Sequence, residues 1–296
     1  MVFSELVLMP LIAFGVGLVL VPLQRRVRAR IERRIGPPGL QPLYDIVKLY
    51  NKRTQISHGV MHDVAIMMVT GGVVAVTLFL PVPGMTGLAR EGDLLTLLYL
   101  MMVPMLGLAL GVGQCANPNG SIGIARALSV MLAYEVPFLL AVGGVALAHG
   151  ATDLTLIVKA QKADGLATWG VAAMPLLALA ALLALQAMLG KEPFEIYIAP
   201  AEIATGPMVE MSGKYLGALF VMQCFQLYTL GALYTTVFLG GGATWPEFLV
   251  KVFAVILVAV SLTNVYARFR TEDVIRWQWT WPTVLGLAGL ALVMLE

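Results

Sequence analysis

Cysteine is almost missing from this sequence. Cys115 and Cys224 stand alone, outside any C-x-x-C pair, so nothing suggests zinc, haem or an iron–sulfur cluster held by this chain. Nucleotide motifs are missing too: there is no G-x-x-x-x-G-K-[ST] and no G-x-G-x-x-G opening a helix after a strand. Charge is scarce. Asp, Glu, Lys and Arg make up 12% of the 296 residues, while 59% are hydrophobic. A soluble chain of this size would lack the polar surface to cover itself, so the expected class is a polytopic membrane protein. Its apolar runs are longer than the roughly ten residues of a barrel strand. The expected fold is all-α, a transmembrane helix bundle, with no internal repeat of the solenoid kind and no nucleic-acid partner.

What is present is a series of apolar runs near the roughly 20 residues that a span needs. Eight spans are expected, at about 4–22, 61–82, 94–114, 122–148, 169–190, 214–240, 247–267 and 280–296, forming a single integral membrane domain over 1–296. The first run lacks a basic leader and a small-residue cleavage pattern, so it is expected to be a retained span. Pro137 gives the fourth a reason to kink. Of the 19 Lys and Arg residues, fifteen fall after spans one, three, five and seven: nine from Arg25 to Arg53, then Arg126, Lys191, Lys214, Arg268, Arg270 and Arg276. Arg90, Lys159, Lys162 and Lys251 make up the other side. By the positive-inside rule, the chain lies in the cytoplasmic (inner) membrane with both termini outside.

Against this apolar background the acids stand out. Glu135 sits in "SVMLAYEVPFLL", about 13 residues into span four, or roughly 20 Å along a helix. An ionised group at mid-span costs about 3 kcal/mol on insertion scales. It must pair, meet water or hold a proton. Arg126 is nine residues away and points to the opposite helix face, so a pair within this helix is not expected. Proton or ion handling and a structural hydrogen-bonded acid are the two readings of Glu135. Glu192, Glu195, Glu202 and Glu210 form a second group in "GKEPFEIYIAPAEIATGPMVEMSGKY". Pro193, Pro200, Pro207, Gly206 and Gly213 prevent one regular helix there. Ile196, Tyr197, Ile198, Ile203, Met208, Val209 and Met211 are too apolar for a solvated loop, so the loop should fold back into the protein with its acids facing a wet cavity.

The first loop has two parts. Residues 24–35 form a basic helical run, suited to anionic lipid. Gly36-Pro37-Pro38-Gly39 breaks it, and "PLYDIVKLYNK" starts an amphipathic helix with Pro42 in its first turn. That helix lies on the membrane or under a partner. Asn117-Pro118-Asn119-Gly120 is a turn, with Ser121 as the cap of span four. His58, His62 and Asp63 read either as metal ligands or, more ordinarily, as the polar start of a helix, and His149 as a membrane-edge residue.

Three ordered segments carry a resemblance: "RRIGPPGLQPLYDIVKLY", "GQCANPNGSIGIARALSVMLAYE" and "EPFEIYIAPAEIATGPMVEMSG". Together they are similar to the H-type membrane subunit family of respiratory complex I (subunit 1 of the mitochondrial enzyme). They look most like the membrane subunit of energy-converting, membrane-bound nickel–iron hydrogenases. The resemblance covers about residues 25–220. It implies a non-catalytic coupling subunit that joins a soluble redox arm to membrane ion pumps and carries no cofactor itself. A nickel–iron site and iron–sulfur clusters would lie in hydrophilic hydrogenase-like large and small subunits, with antiporter-like membrane subunits and lipid as the other neighbours. By motif match, Glu135, Glu195, Glu202 and Glu210 take relay positions, and Arg34, Asp45, Lys48 and Arg126 take charge-network or interface positions; Glu192, in the same acidic loop, is a further relay candidate. Ile198, Pro200 and Met211 depart from the quinone-reducing pattern, which favours the hydrogenase branch. The alternatives are the equivalent subunit of a quinone-reducing NADH dehydrogenase-type complex, or a stand-alone ion transporter.

Overall fold

A computed structural model describes residues 3–54, 59–89, 94–114, 117–162 and 168–295. His58, Arg90, Cys115 and Glu296 lie outside the described residues. The helices are α1 (Phe3–Ile31), α2 (Gln41–Tyr50), α3 (Val60–Leu78), α4 (Leu94–Val112), α5 (Pro118–His149), α6 (Leu154–Lys162), α7 (Gly170–Ala173), α8 (Pro175–Met188), α9 (Pro200–Ile203), α10 (Lys214–Phe238), α11 (Trp245–Thr263) and α12 (Thr271–Leu295). Among the described residues, the only β pairing is an isolated bridge between Val82 and Met85. Among the described residues, seven helices are long and apolar enough to cross a membrane, and α8 is a shorter apolar helix. This is an all-α, multi-pass membrane protein.

Three of the differences between the expected spans and the helices have a local cause. The run at 169–190 is broken, because Met174 precedes Pro175 and takes φ −131°, ψ 62°. The proline ring disfavours α geometry in the residue before it. The last helix begins at Thr271, well before 280, with Glu272 and Asp273 in its first turn against the helix dipole. The stretch "TEDVIRWQW" is therefore helix rather than loop. Finally, α5 starts at Pro118 with Asn117 as its cap, whose side chain accepts from the Asn119 amide at 3.0 Å, so Ser121 is inside the helix.

α10 is the central helix. Of its apolar window, 67% is buried, against 22% in α12, which therefore presents most of its surface outward. Around it, α3 packs against α4, α5 against α8 and α12, and α1 against α10. The α3–α4 contact is close because Gly107 and Gly111 face Met68 and Ala65; an added Cβ would meet their Cβ atoms at 2.5 and 2.4 Å. α1 continues past its apolar run to Ile31, carrying the first arginines as its last turns. α2 then lays Pro42 and Ile46 inward beside α10, leaving Tyr44, Val47 and Tyr50 exposed. The ends of α1, α4, α8 and α11 and the starts of α3, α5, α10 and α12 share one end of the bundle by chain alternation, called here the basic end.

Candidate functional site

Residues 189–213 join α8 to α10 at the basic end. As expected, the segment folds back into the protein: Phe194, Ile196, Ala199, Ile203 and Met211 are all at most 5% exposed. Phe194 and Ile196 share a cluster with Val130, Ala187 and Val274, so the loop is wedged between α5, α8 and α12. The chain achieves this with non-helical backbone. Thr205 and Gly206 have φ of 74° and 52°, and a Cβ on Gly206 would meet the Tyr197 carbonyl at 2.2 Å. Only glycine fits there.

None of the four acids is among the lining residues of the cavities described below. Glu192, Glu195 and Glu202 face arginines, and Glu210 faces a backbone amide. Glu192 pairs with Arg28 of α1 at 2.9 Å. Glu202 accepts from Arg126 of α5 at 2.8 Å, and Arg268, between α11 and α12, lies 3.6 Å from Glu202 and 3.7 Å from Glu195. Arg126 also donates to the Ile196 carbonyl at 3.2 Å. Glu210 accepts from the Asn117 amide at 3.1 Å, which ties the loop to the first turn of α5. Arg34 joins this network at a distance, through Glu32 to Arg28 and so to Glu192. Asp45 accepts from Gln41, one turn away, and Lys48 is exposed on α2, so these two stand apart from the loop.

The loop acids are electrically unequal. Burial pushes the Glu192 carboxyl up, but the Arg28 hydrogen bond and charge outweigh it and hold it below the usual carboxylate range. Glu195 goes the other way: burial, then the charge of Glu192, push it above that range. The Arg126 hydrogen bond holds Glu202 low. As pH falls, Glu195 thus takes a proton before either neighbour.

Glu135 is remote from these arginines. It is partly buried on α5 and lines a cavity of about 30 Å³ with Leu98, Met101, Tyr134 and Met188. That cavity shares Met101, Tyr134 and Met188 with a second of about 60 Å³. The second shares Met105, Met222 and Gln226 with a third of about 210 Å³, walled by Arg25, Lys191, Tyr197 and Gln223 among others. Each exceeds the roughly 10–15 Å³ that one water needs. The middle cavity also carries the Thr229 hydroxyl, which is buried and has no hydrogen-bond partner among the described residues. A water in that cavity would satisfy it. The cavities form a series from the base of the acid loop to Glu135.

Four residues of the site give no sequence signal beyond their charge: Arg28, Glu32, Lys191 and Arg268. The Arg28–Glu192 pair joins positions 164 apart in the chain, which no spacing rule connects. Among the described residues, no group of three or more His, Cys, Asp or Glu is placed to hold a metal ion, and His62 instead sits edge-on to Tyr215.

Comparison with known proteins identifies the family and the fold. The model of the NADH dehydrogenase family matches residues 4–294. The chain is 29% identical over 291 residues to the H-type NADH-quinone oxidoreductase subunit of Geobacillus kaustophilus, covering 91% of this chain and 86% of the relative. It is 26% identical over 297 residues to that of Dehalococcoides mccartyi, covering 94% and 82%. Among solved structures, a chain of the membrane-bound sulfane sulfur reductase, an archaeal respiratory membrane complex, matches with TM-score 0.94 and 36% identity. That match covers 98% of this chain and 99% of the other. The chain therefore belongs to the NADH dehydrogenase family, as a membrane subunit of the H type.

Proposed function

We propose that this subunit couples electron transfer in an attached soluble arm to ion movement in the membrane, by passing protons between the acid loop and Glu135. The observation that carries the reading is the series of three cavities with shared walls, which ends at a carboxylate in mid-span. In this reading the basic end faces the cytoplasm, both termini face outside, and the whole chain acts as one integral unit of the inner membrane. Arg28, Arg126 and Arg268 hold Glu192, Glu195 and Glu202 in register beneath the soluble arm. Glu210 fixes the start of α5, the helix that carries Glu135. Asp45 and Lys48 mark the surface that meets a neighbouring subunit.

The arm itself is proposed to be a hydrophilic large and small subunit pair of the hydrogenase type, holding a nickel–iron site and iron–sulfur clusters, with antiporter-like subunits alongside in the membrane. The 36% identity to a chain of a sulfane sulfur reductase supports a non-quinone arm and adds a sulfur-reducing one as the alternative, above the 29% shared with a quinone-linked relative. Mass spectrometry of the complex purified in mild detergent tests this. Hydrophilic redox subunits and antiporter-like chains should co-purify in fixed ratio. Recovery of this chain alone, generating an ion gradient in liposomes without partners, would instead make it a stand-alone transporter.

A further inference from the structure

None of the four loop acids lines the large cavity, so the proposed route has a gap at its mouth. The titratable residues of that cavity's wall are Arg25, Lys191 and Tyr197. An arginine keeps its proton in proteins. Burial pushes the Tyr197 hydroxyl up to about 12, so it also stays protonated near neutral pH. Lys191 remains. It adjoins Glu192 in sequence and feels Glu195 and Glu192 from the loop and Arg25 and Arg28 from α1. Burial pushes its ammonium below the ordinary lysine value, with the two arginines adding to the shift and the two acids opposing it. Meanwhile the carboxylates of Glu192 and Glu195 point to Arg28 and Arg268, leaving Lys191 as the titratable residue that both adjoins the acid loop and lines the cavity.

We infer that Lys191 carries the proton between the acid loop and the cavities, an inference that rests on the relay reading above. Protonated Glu195 gives its proton, through a bridging water, to the neutral amine, leaving a carboxylate and an ammonium. The ammonium then gives the proton to a water in the large cavity and returns to the amine. No electron moves in either step, and one positive charge passes from the loop into the cavity.

Three substitutions separate a carrier from a fixed charge. Lys191→Arg keeps the cation but cannot release its proton. Lys191→Met removes both. Lys191→His restores a group that exchanges protons near pH 6.5. Each is made in the native complex, reconstituted in proteoliposomes, and the membrane potential is read per electron transferred. The expected result is a tenfold or greater loss for both Lys191→Arg and Lys191→Met, with partial recovery for Lys191→His over a pH profile moved toward acid. Wild-type potential in Lys191→Arg would overturn the assignment, as would failure of all three variants to assemble, which would make Lys191 a packing residue that the fold requires. Glu135→Gln run in parallel separates the two levels. If it keeps full potential, the relay reading itself falls. If it loses potential while Lys191→Arg does not, only the lysine is misassigned.

Discussion

Glu135→Gln is expected to lower the membrane potential generated per electron by at least tenfold in the reconstituted complex. The change keeps the size of the side chain and one acceptor oxygen, replaces the other oxygen with a donor NH₂, and removes the acid proton. Lipid offers no alternative: the neighbouring lining residues are Leu98, Met101, Met102, Met131, Phe138, Leu139 and Met188, with the Tyr134 hydroxyl as the nearby polar group. Burying a charge among such residues has to be useful, because it costs about 3 kcal/mol at mid-span. If Glu135 served only as a hydrogen-bonded structural acid, glutamine would replace it with little loss. The electron flux with an artificial acceptor provides the internal control, since the redox chemistry of the proposed arm lies outside this chain. A wild-type potential per electron in this variant would remove Glu135 from the route.

Arg268→Gln is the second large effect. Arg268 lies between two acids, Glu195 and Glu202, and is itself mostly enclosed, at 23% side-chain exposure. Its removal leaves Glu195, which is already pushed up by burial, without its nearest guanidinium. Losing a nearby cation disfavours the carboxylate, so the Glu195 pKa rises further and the loop is protonated at higher pH than before. Coupled potential should therefore fall first on the acid side of its pH profile. The loop should also loosen, by about 1–3 kcal/mol for a hydrogen-bonded or charged group left unmatched, which is roughly a five- to hundredfold rise in amide exchange over residues 192–203. Arg268→Lys should recover only part of both, because a single ammonium does not span two carboxylates as a guanidinium fork does. Unchanged exchange in Arg268→Gln, with an unchanged pH profile, would show that the contact is incidental.

The route is partly legible in the sequence, and the limits are physical. Glu135 declares itself because a carboxylate in an apolar run has a known cost and few ways to meet it. The acid loop declares itself because Pro193, Pro200 and Pro207 forbid one regular helix while Phe194 and Ile196 forbid solvent. Periodicity cannot show that Met174 breaks the helix before Pro175, since the run on both sides is equally apolar. It also leaves "TEDVIRWQW" outside the membrane helix, because charge reads as loop, whereas Glu272 and Asp273 form a favourable first turn. The pairing of the acids is invisible for a different reason. Arg28, Arg126 and Arg268 come from three separate parts of the chain, and composition reports their charge but not their direction. That is why the acids are expected to face water, whereas Glu192, Glu195 and Glu202 are clamped by arginines and Lys191 lines the cavity.

The central claim is that Glu135 sits on a hydrated route and changes protonation as the attached arm is reduced. Infrared difference spectroscopy of the whole complex, reduced in H₂O and again in D₂O, reads this at the carboxyl carbonyl stretch. A band that appears or vanishes on reduction, shifts to lower frequency in D₂O and is missing from Glu135→Gln is the predicted result. No Glu135-dependent band, or one that does not shift after equilibration in D₂O, would contradict the account.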